Sequence, residues 1–153
     1  SQCVQRRAGV EEVWRASGLP ADALTMAVGD DSVESGYRLT FAALVGSRPG
    51  DCPFNSLFAG NDLMAVGAIR ALKAHGLAIP EQVEVIGFDD IELAHLVDPP
   101  LSTVSQPALE MGARSADLLL RLIGGKAPRP KTLIMMPKLV LRGTTRQPME
   151  SES

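Results

Sequence analysis

The segment that most constrains the fold is residues 57–90, which read as a strand, a helix and a second strand. The first apolar run ends at Gly60, and the helical spacing that follows stops before Gly76, where a glycine favours a left-handed helix cap. A β-branched run then predicts a buried strand. A polar side chain follows each strand, Asn61 after the first and Asp89 after the second. The carboxyl ends of parallel strands are where an open α/β sheet binds its ligand.

The residues before this segment show the same alternation of helix and strand. Helical spacing predicts an opening helix that ends at Ser17-Gly18, and the apolar stretch 24–28 reads as a strand. Ser32 fits the N-cap of a second helix, which a loop separates from a strand at 54–59. Strands that alternate with helices through short connections predict an α/β fold with a parallel sheet and right-handed crossovers.

The C-terminal part begins with a short apolar stretch at 101–104 and continues with a long amphipathic helix. Pro107 fits the first turn of this helix, and its apolar face is wide enough to require burial. Two closing strand segments follow, at 133–136 and 139–141.

Composition limits the classes of function open to this chain. Its 153 residues, 45% hydrophobic and 22% charged, are enough for one globular domain with a core. No apolar run approaches the roughly 20 residues that span a bilayer, and residues 1–10 lack the apolar core of a signal peptide, so we expect a cytoplasmic protein without membrane contact. A net charge of −3 argues against nucleic-acid binding by this chain alone. Because Cys3, Cys52, His75 and His95 lack ligand spacing, we expect no metal site, no disulfide and no cofactor.

The polar residues at the strand ends are open to more than one interpretation. Asn61 fits a helix N-cap, but its amide can also donate to and accept from ligand hydroxyls. Asp89 is a ligand candidate, and Asp90 either shares that role or caps the residues that follow. Paired acids also raise an enzyme interpretation, but neighbours in an extended chain point to opposite sides and no catalytic motif completes a site. The residues around Asp31 read as an ordinary turn, and Arg6 reads as a solvated helix residue.

Taken together, these segments resemble the lactose/galactose repressor (LacI/GalR) family of bacterial transcription regulators, in the effector domain that shares its fold with periplasmic sugar-binding proteins. The most specific matches are residues 58–62, 77–81, 85–90, 100–104, 106–107, 111–112 and 139–145. The resemblance covers nearly the whole chain. It implies an α/β three-layer sandwich, a type I periplasmic-binding-protein-like lobe truncated at its N-terminus. Residues 1–147 would form the effector-binding and dimerisation domain, and 148–153 a disordered tail.

The resemblance also assigns roles to individual residues. Asn61 and Asp89 match positions that hydrogen-bond effector hydroxyls, and Arg6, three residues before Gly9, matches an arginine that reaches the effector. Where the family often has an aromatic side chain that stacks on a sugar ring, this chain has Asp31, which favours a polyol, an amino sugar or another cation-bearing effector. The candidate ligand-binding residues are therefore Arg6, Asp31, Asn61, Asp89 and Asp90.

The function implied by the resemblance is that of a sensor. A small carbohydrate-like effector would bind between two lobes and change the affinity for operator DNA, which is contacted only through a helix-turn-helix headpiece outside this sequence. By the resemblance, residues 104–136 would return to the N-terminal lobe, and we expect most of that lobe to be missing from this sequence. We therefore predict a homodimer or swapped oligomer that buries Leu118, Leu119 and Leu122. The alternative is a periplasmic solute-binding protein of a transport system.

Overall fold

The computed structural model of the chain describes residues 2–125 and 132–146. Its helices are α1 (Gln2–Ala16), α2 (Val33–Leu44), α3 (Asp62–Ala74), α4 (Leu93–Leu96) and α5 (Ala108–Ile123), with a 3₁₀ turn at Ala21–Ala23. Its strands are β1 (Ser56–Phe58), β2 (Glu84–Ile86), β3 (Thr103–Ser105) and β4 (Lys138–Val140). The predicted long helices are confirmed. The tail predicted at 148–153 lies outside the described residues.

The strands confirm the predicted parallel strand–helix–strand unit. β1 and β2 pair in parallel, and the chain around β3 runs parallel to the chain around β2 through bridges between Ile86 and Ser102 and between Asp89 and Ser105. β4 is antiparallel to β3, so the last connection reverses direction. The carboxyl ends of β1 and β2 lie at one edge, where Asn61 and Asp89 follow them.

The hydrophobic core joins α3 to the sheet. Ala65, Ile69 and Leu72 are spaced by one helical turn and are at most 3% exposed, and they share the core with the fully buried Val83 and Val85. Burying a large aliphatic side chain stabilises a fold by about 1.5–3 kcal/mol. This packing fixes the direction of α3, so that its N-terminus lies at the carboxyl end of β1.

α2 and α3 cross in close contact through two glycines. A Cβ atom at Gly36 would lie 2.1 Å from the Met64 carbonyl oxygen, and one at Gly67 would lie 2.0 Å from the Val33 carbonyl oxygen. A backbone carbonyl cannot turn aside without moving its helix, so glycine is needed at both positions. The crossing brings the turn before α2 close to the turn before α3.

Two of the predicted strands are wrong. Residues 24–28 and 133–136 form no strand, and Val28 and Ile134 are 86% and 83% exposed. A strand needs a neighbour that accepts and donates its backbone hydrogen bonds. Within the part of the chain that the structure describes, neither segment pairs with one.

The apolar face of α5 is uncovered in the single chain. The helix contains no buried residue, and Leu119 and Leu122 are 58% and 55% exposed. The burial expected for these leucines does not occur within one chain, so the self-association that would cover them stays a prediction. No helix among the described residues is both long and apolar enough to span a bilayer.

Candidate functional site

The ends of β1 and β2 are joined by a side chain from α1. The Arg6 guanidinium donates to the Gly60 carbonyl oxygen at 2.6 Å and to Asp89 Oδ1 at 3.4 Å. It also lies over the Phe88 ring, 3.7 Å from the ring centroid, a contact that stabilises by about 0.5–2 kcal/mol. The Arg6 side chain is therefore packed against the sheet edge and is not solvated as a surface helix residue would be. The structure brings Arg6, Asn61 and Asp89 to one edge of the sheet.

Asn61 is the N-cap of α3. Its Oδ1 accepts from the Met64 backbone N–H at 2.8 Å, which confirms the capping interpretation. Its Nδ2 donates to the Asp31 carbonyl oxygen at 3.1 Å and so holds the turn before α2 against the turn before α3. The side chain is half-buried, and a ligand hydroxyl would share these two groups with the protein.

The residues around Asp31 form the predicted turn and cap. Ser32 caps α2 by accepting from the Ser35 backbone N–H at 3.0 Å, and the Ser32 hydroxyl donates to Asp30 Oδ1 at 2.5 Å. The side-chain and backbone hydrogen bonds from Ser32 lower the pKa of Asp30. Asp31 itself is exposed, has a left-handed backbone with φ of 65°, and forms no ion pair with any described residue.

Asp90 lies apart from this group, in a separate ion pair. Its Oδ1 accepts from the Arg142 guanidinium at 2.6 Å, and His95 Nε2 is 3.7 Å away. Burial alone would raise the pKa of Asp90, but the hydrogen bond and charge of Arg142, together with the contributions of Ser105 and His95, outweigh it and lower the pKa. The structure thus places Asp90 against the C-terminal segment and not beside Arg6 and Asn61. The two adjacent aspartates engage different arginines.

Two polar residues at this edge were not given a site role by sequence reasoning. Gln106 Nε2 donates to Asp89 Oδ1 at 2.6 Å. Asp62 is fully buried and accepts from Thr103 Oγ1 at 2.6 Å and from the Ile91 backbone N–H at 2.9 Å. Desolvation raises the pKa of Asp62, and the nearby Asp89 carboxylate adds to the rise. The helix dipole favours an acid in the first turn of α3, which accounts for Asp62 at this position but gives no signal of its burial.

A cleft of about 450 Å³ opens beside Arg6. Its polar wall includes Gln5, Arg6 and Gln106, and its apolar wall includes Phe88, Met111 and Leu118. Hydrogen-bond donors next to an aromatic ring are typical of sites that bind small polar molecules. Among the described residues, no three His, Cys, Asp or Glu side chains form a group that could hold a metal ion.

Comparison with known proteins identifies relatives over almost the whole chain. The family model of the periplasmic binding protein-like domain matches residues 2–145. The transcriptional repressor CytR of Escherichia coli K12 is 34% identical over 144 residues, which are 94% of this chain and 41% of CytR. The chain therefore spans about two fifths of the length of this curated relative.

Solved structures give the same relationship. The regulator CelR in complex with cellobiose superimposes with a TM-score of 0.81 and 33% identity, over 92% of this chain and 42% of CelR. A dimeric Lac repressor superimposes with a TM-score of 0.81 and 31% identity, over 92% of this chain and 49% of the repressor chain. These similarities confirm the predicted fold class and the resemblance to LacI-type regulators. The chain belongs to the family of periplasmic binding protein-like domains.

Proposed function

We propose that the chain is part of the effector-binding and dimerisation domain of a LacI-type transcriptional regulator. The observation that carries this proposal is the cluster of Arg6, Asn61 and Asp89 at the carboxyl ends of two parallel strands. The cluster supplies a guanidinium, an amide and a carboxylate, which together donate to and accept from vicinal hydroxyls. We assign it to a small carbohydrate-like effector.

The contacts within the cluster support this assignment. Asp89 is 33% exposed and Arg6 is 16% exposed, so the carboxylate is accessible while the guanidinium is largely fixed. Both hydrogen bonds that reach the carboxylate from described residues end on Oδ1. Its Oδ2 is therefore the oxygen we assign to a ligand hydroxyl.

The proposal extends to the partners of the intact regulator. One solved relative holds cellobiose, and another is a Lac repressor dimer bound to operator DNA. For this protein we propose a homodimer that acts on an operator in the cytoplasm through a helix-turn-helix headpiece, with no bond made or broken in the effector. Binding in one closure state of the two lobes would change the affinity for the operator by linkage.

The other classes of function have less support. The relatives reported above are transcriptional regulators and not transport proteins or enzymes. Two of the nearby acids are poorly placed for catalysis. Asp90 forms an ion pair with Arg142, and Asp62 is fully buried and so out of reach of a substrate. We therefore propose binding without catalysis.

The proposal is tested by calorimetric titration with cellobiose, lactose and ribose, which solved relatives bind, and with glucosamine as a cationic probe for Asp31. Asp89→Asn removes the carboxylate charge yet tolerates the left-handed backbone at φ of 112°. Asn61→Ser keeps a capping oxygen and removes the amide. Each variant is expected to lose about 1–3 kcal/mol, roughly 5- to 150-fold in Kd.

The matched control is Asp22→Asn, an exposed acid in the 3₁₀ turn. It should bind as the wild type does. Equal affinity of wild type, Asp89→Asn and Asn61→Ser for the sugar that binds would refute the site assignment. No heat with any of the probes would refute sugar binding by this chain.

A further inference from the structure

The shortest side-chain contact of Asp89 is with a residue to which the family resemblance assigned no role. Gln106 Nε2 donates to Asp89 Oδ1 at 2.6 Å, whereas Arg6 approaches the same oxygen at 3.4 Å. N–H···O hydrogen bonds are usually about 2.7–3.2 Å long, so the contact at 3.4 Å restrains the oxygen less tightly than the contact at 2.6 Å. Gln106 is thus the main geometric restraint on the carboxylate.

The backbone makes this contact possible. The Asp89 N–H donates to the Val104 carbonyl oxygen at 3.0 Å, and Asp89 pairs with Ser105 in a parallel bridge. Gln106 is the next residue along, between the end of β3 and Pro107, the N-cap of α5. The Gln106 carbonyl oxygen accepts from the Ala108 N–H at 2.8 Å. One residue therefore links the orientation of Asp89 to the start of α5.

We propose that Gln106 is a positioning residue for ligand binding, a role that rests on the proposed function. By holding Oδ1, its amide fixes the rotation of the Asp89 carboxylate, and neither hydrogen bond from the described residues ends on Oδ2. Gln106 acts through Asp89 and needs no contact with the ligand. A displacement at the start of α5 would turn the carboxylate and weaken the site.

A double-mutant cycle without ligand tests the contact itself. Gln106→Met keeps the length of the side chain and removes the donor, and Asp89→Asn replaces the charged acceptor by a neutral amide oxygen, which accepts a weaker hydrogen bond. Each is expected to lower Tm by about 2–4 °C, and the double variant should fall by less than the sum of the two single effects, because both changes weaken the same hydrogen bond. Gln82→Met is the control, because Gln82 bonds to Gly50 and Ala78, far from Asp89 along the chain. Its effect should add to that of Asp89→Asn. Full additivity of Gln106→Met with Asp89→Asn would overturn the proposal.

A second cycle measures binding, with whichever of cellobiose, lactose, ribose and glucosamine binds the wild type. Gln106→Met should weaken that probe roughly fivefold in the wild-type background and have a clearly smaller effect in the Asp89→Asn background, where the shared hydrogen bond is already weakened. A fivefold loss in both backgrounds would show that Gln106 acts independently of Asp89 and would overturn the positioning role. If no probe binds the wild type, the proposed function fails, and the melting cycle alone decides whether Gln106 restrains Asp89.

Discussion

Replacing Gly67 by alanine should separate α2 from α3 and destabilise the protein. The added Cβ atom would lie 2.0 Å from the Val33 carbonyl oxygen and 2.6 Å from the Tyr37 nitrogen. Ordinary contact begins near 3.4 Å, so the helices must move apart by about 1.4 Å. No side chain can relieve this overlap, because both neighbouring atoms belong to the backbone of α2.

The expected loss follows from two opposing effects. Forcing atoms into a packed contact costs about 3 kcal/mol at the upper end of the usual range. The higher helix propensity of alanine relative to glycine stabilises the helix by about 1 kcal/mol. Gly67→Ala should therefore lower the free energy of unfolding by about 2 kcal/mol, or Tm by roughly 4–8 °C. The separation should also weaken the Asn61–Asp31 hydrogen bond, which spans the two helix starts.

Urea unfolding followed by circular dichroism measures this loss. Gly112→Ala in α5 is the matched control, since a Cβ atom there meets nothing within 4 Å. The control should stabilise the protein by about 0.5–1 kcal/mol. If Gly67→Ala stabilises as much as Gly112→Ala does, the close crossing of α2 and α3 is refuted.

Three further predictions concern the buried acid, the C-terminal ion pair and the apolar face of α5. The pKa of Asp62 is raised in the folded state, so the folded wild type binds more protons than the unfolded chain does. Its free energy of unfolding, relative to that of Asp62→Asn, should therefore fall as pH rises above about 4. A pH-independent difference between their urea midpoints would contradict this. The pKa of Asp90 is lowered, so the Asp90–Arg142 ion pair stabilises the fold at neutral and not at acidic pH. Arg142→Gln should lower the free energy of unfolding by about 1–3 kcal/mol at pH 7, and this loss should fade as pH falls below about 4. An undiminished loss at pH 3 would argue against the ion pair as its cause. Light scattering at micromolar concentration should show an oligomer that the Leu119→Lys/Leu122→Lys variant dissociates, and a monomeric wild type would exclude self-association through this face.

Local sequence signals predicted the helices well and the strands less well. α3 carries its own start and stop signals, an Asn61 cap and a left-handed Gly76, so its bounds follow from nearby residues. A strand is defined by a partner elsewhere in the chain. The apolar stretch at 24–28 has strand-like composition but no partner among the described residues, and composition alone could not reveal that.

The candidate site was predicted in the same uneven way. Ligands bind at the carboxyl ends of parallel strands, and this rule located Asn61 and Asp89 because it depends only on the order of helices and strands along the chain. The family resemblance supplied Arg6, whose contacts with Gly60 and Asp89 span 54 and 83 residues of sequence. The Arg142 partner of Asp90 and the Gln106 partner of Asp89 follow from how β3 lies against the chain after β2, which no local pattern encodes.

The most direct test of the account is a nitrogen–proton NMR titration of the chain with cellobiose, lactose, ribose and glucosamine, because chemical shifts detect even millimolar binding residue by residue. We expect at least one sugar to shift the signals of Gly60, Asn61, Asp89 and the Gln106 side-chain amide more than any others. Shifts concentrated elsewhere, or none up to the solubility of each sugar, would contradict the assignment of an effector site to the carboxyl ends of β1 and β2.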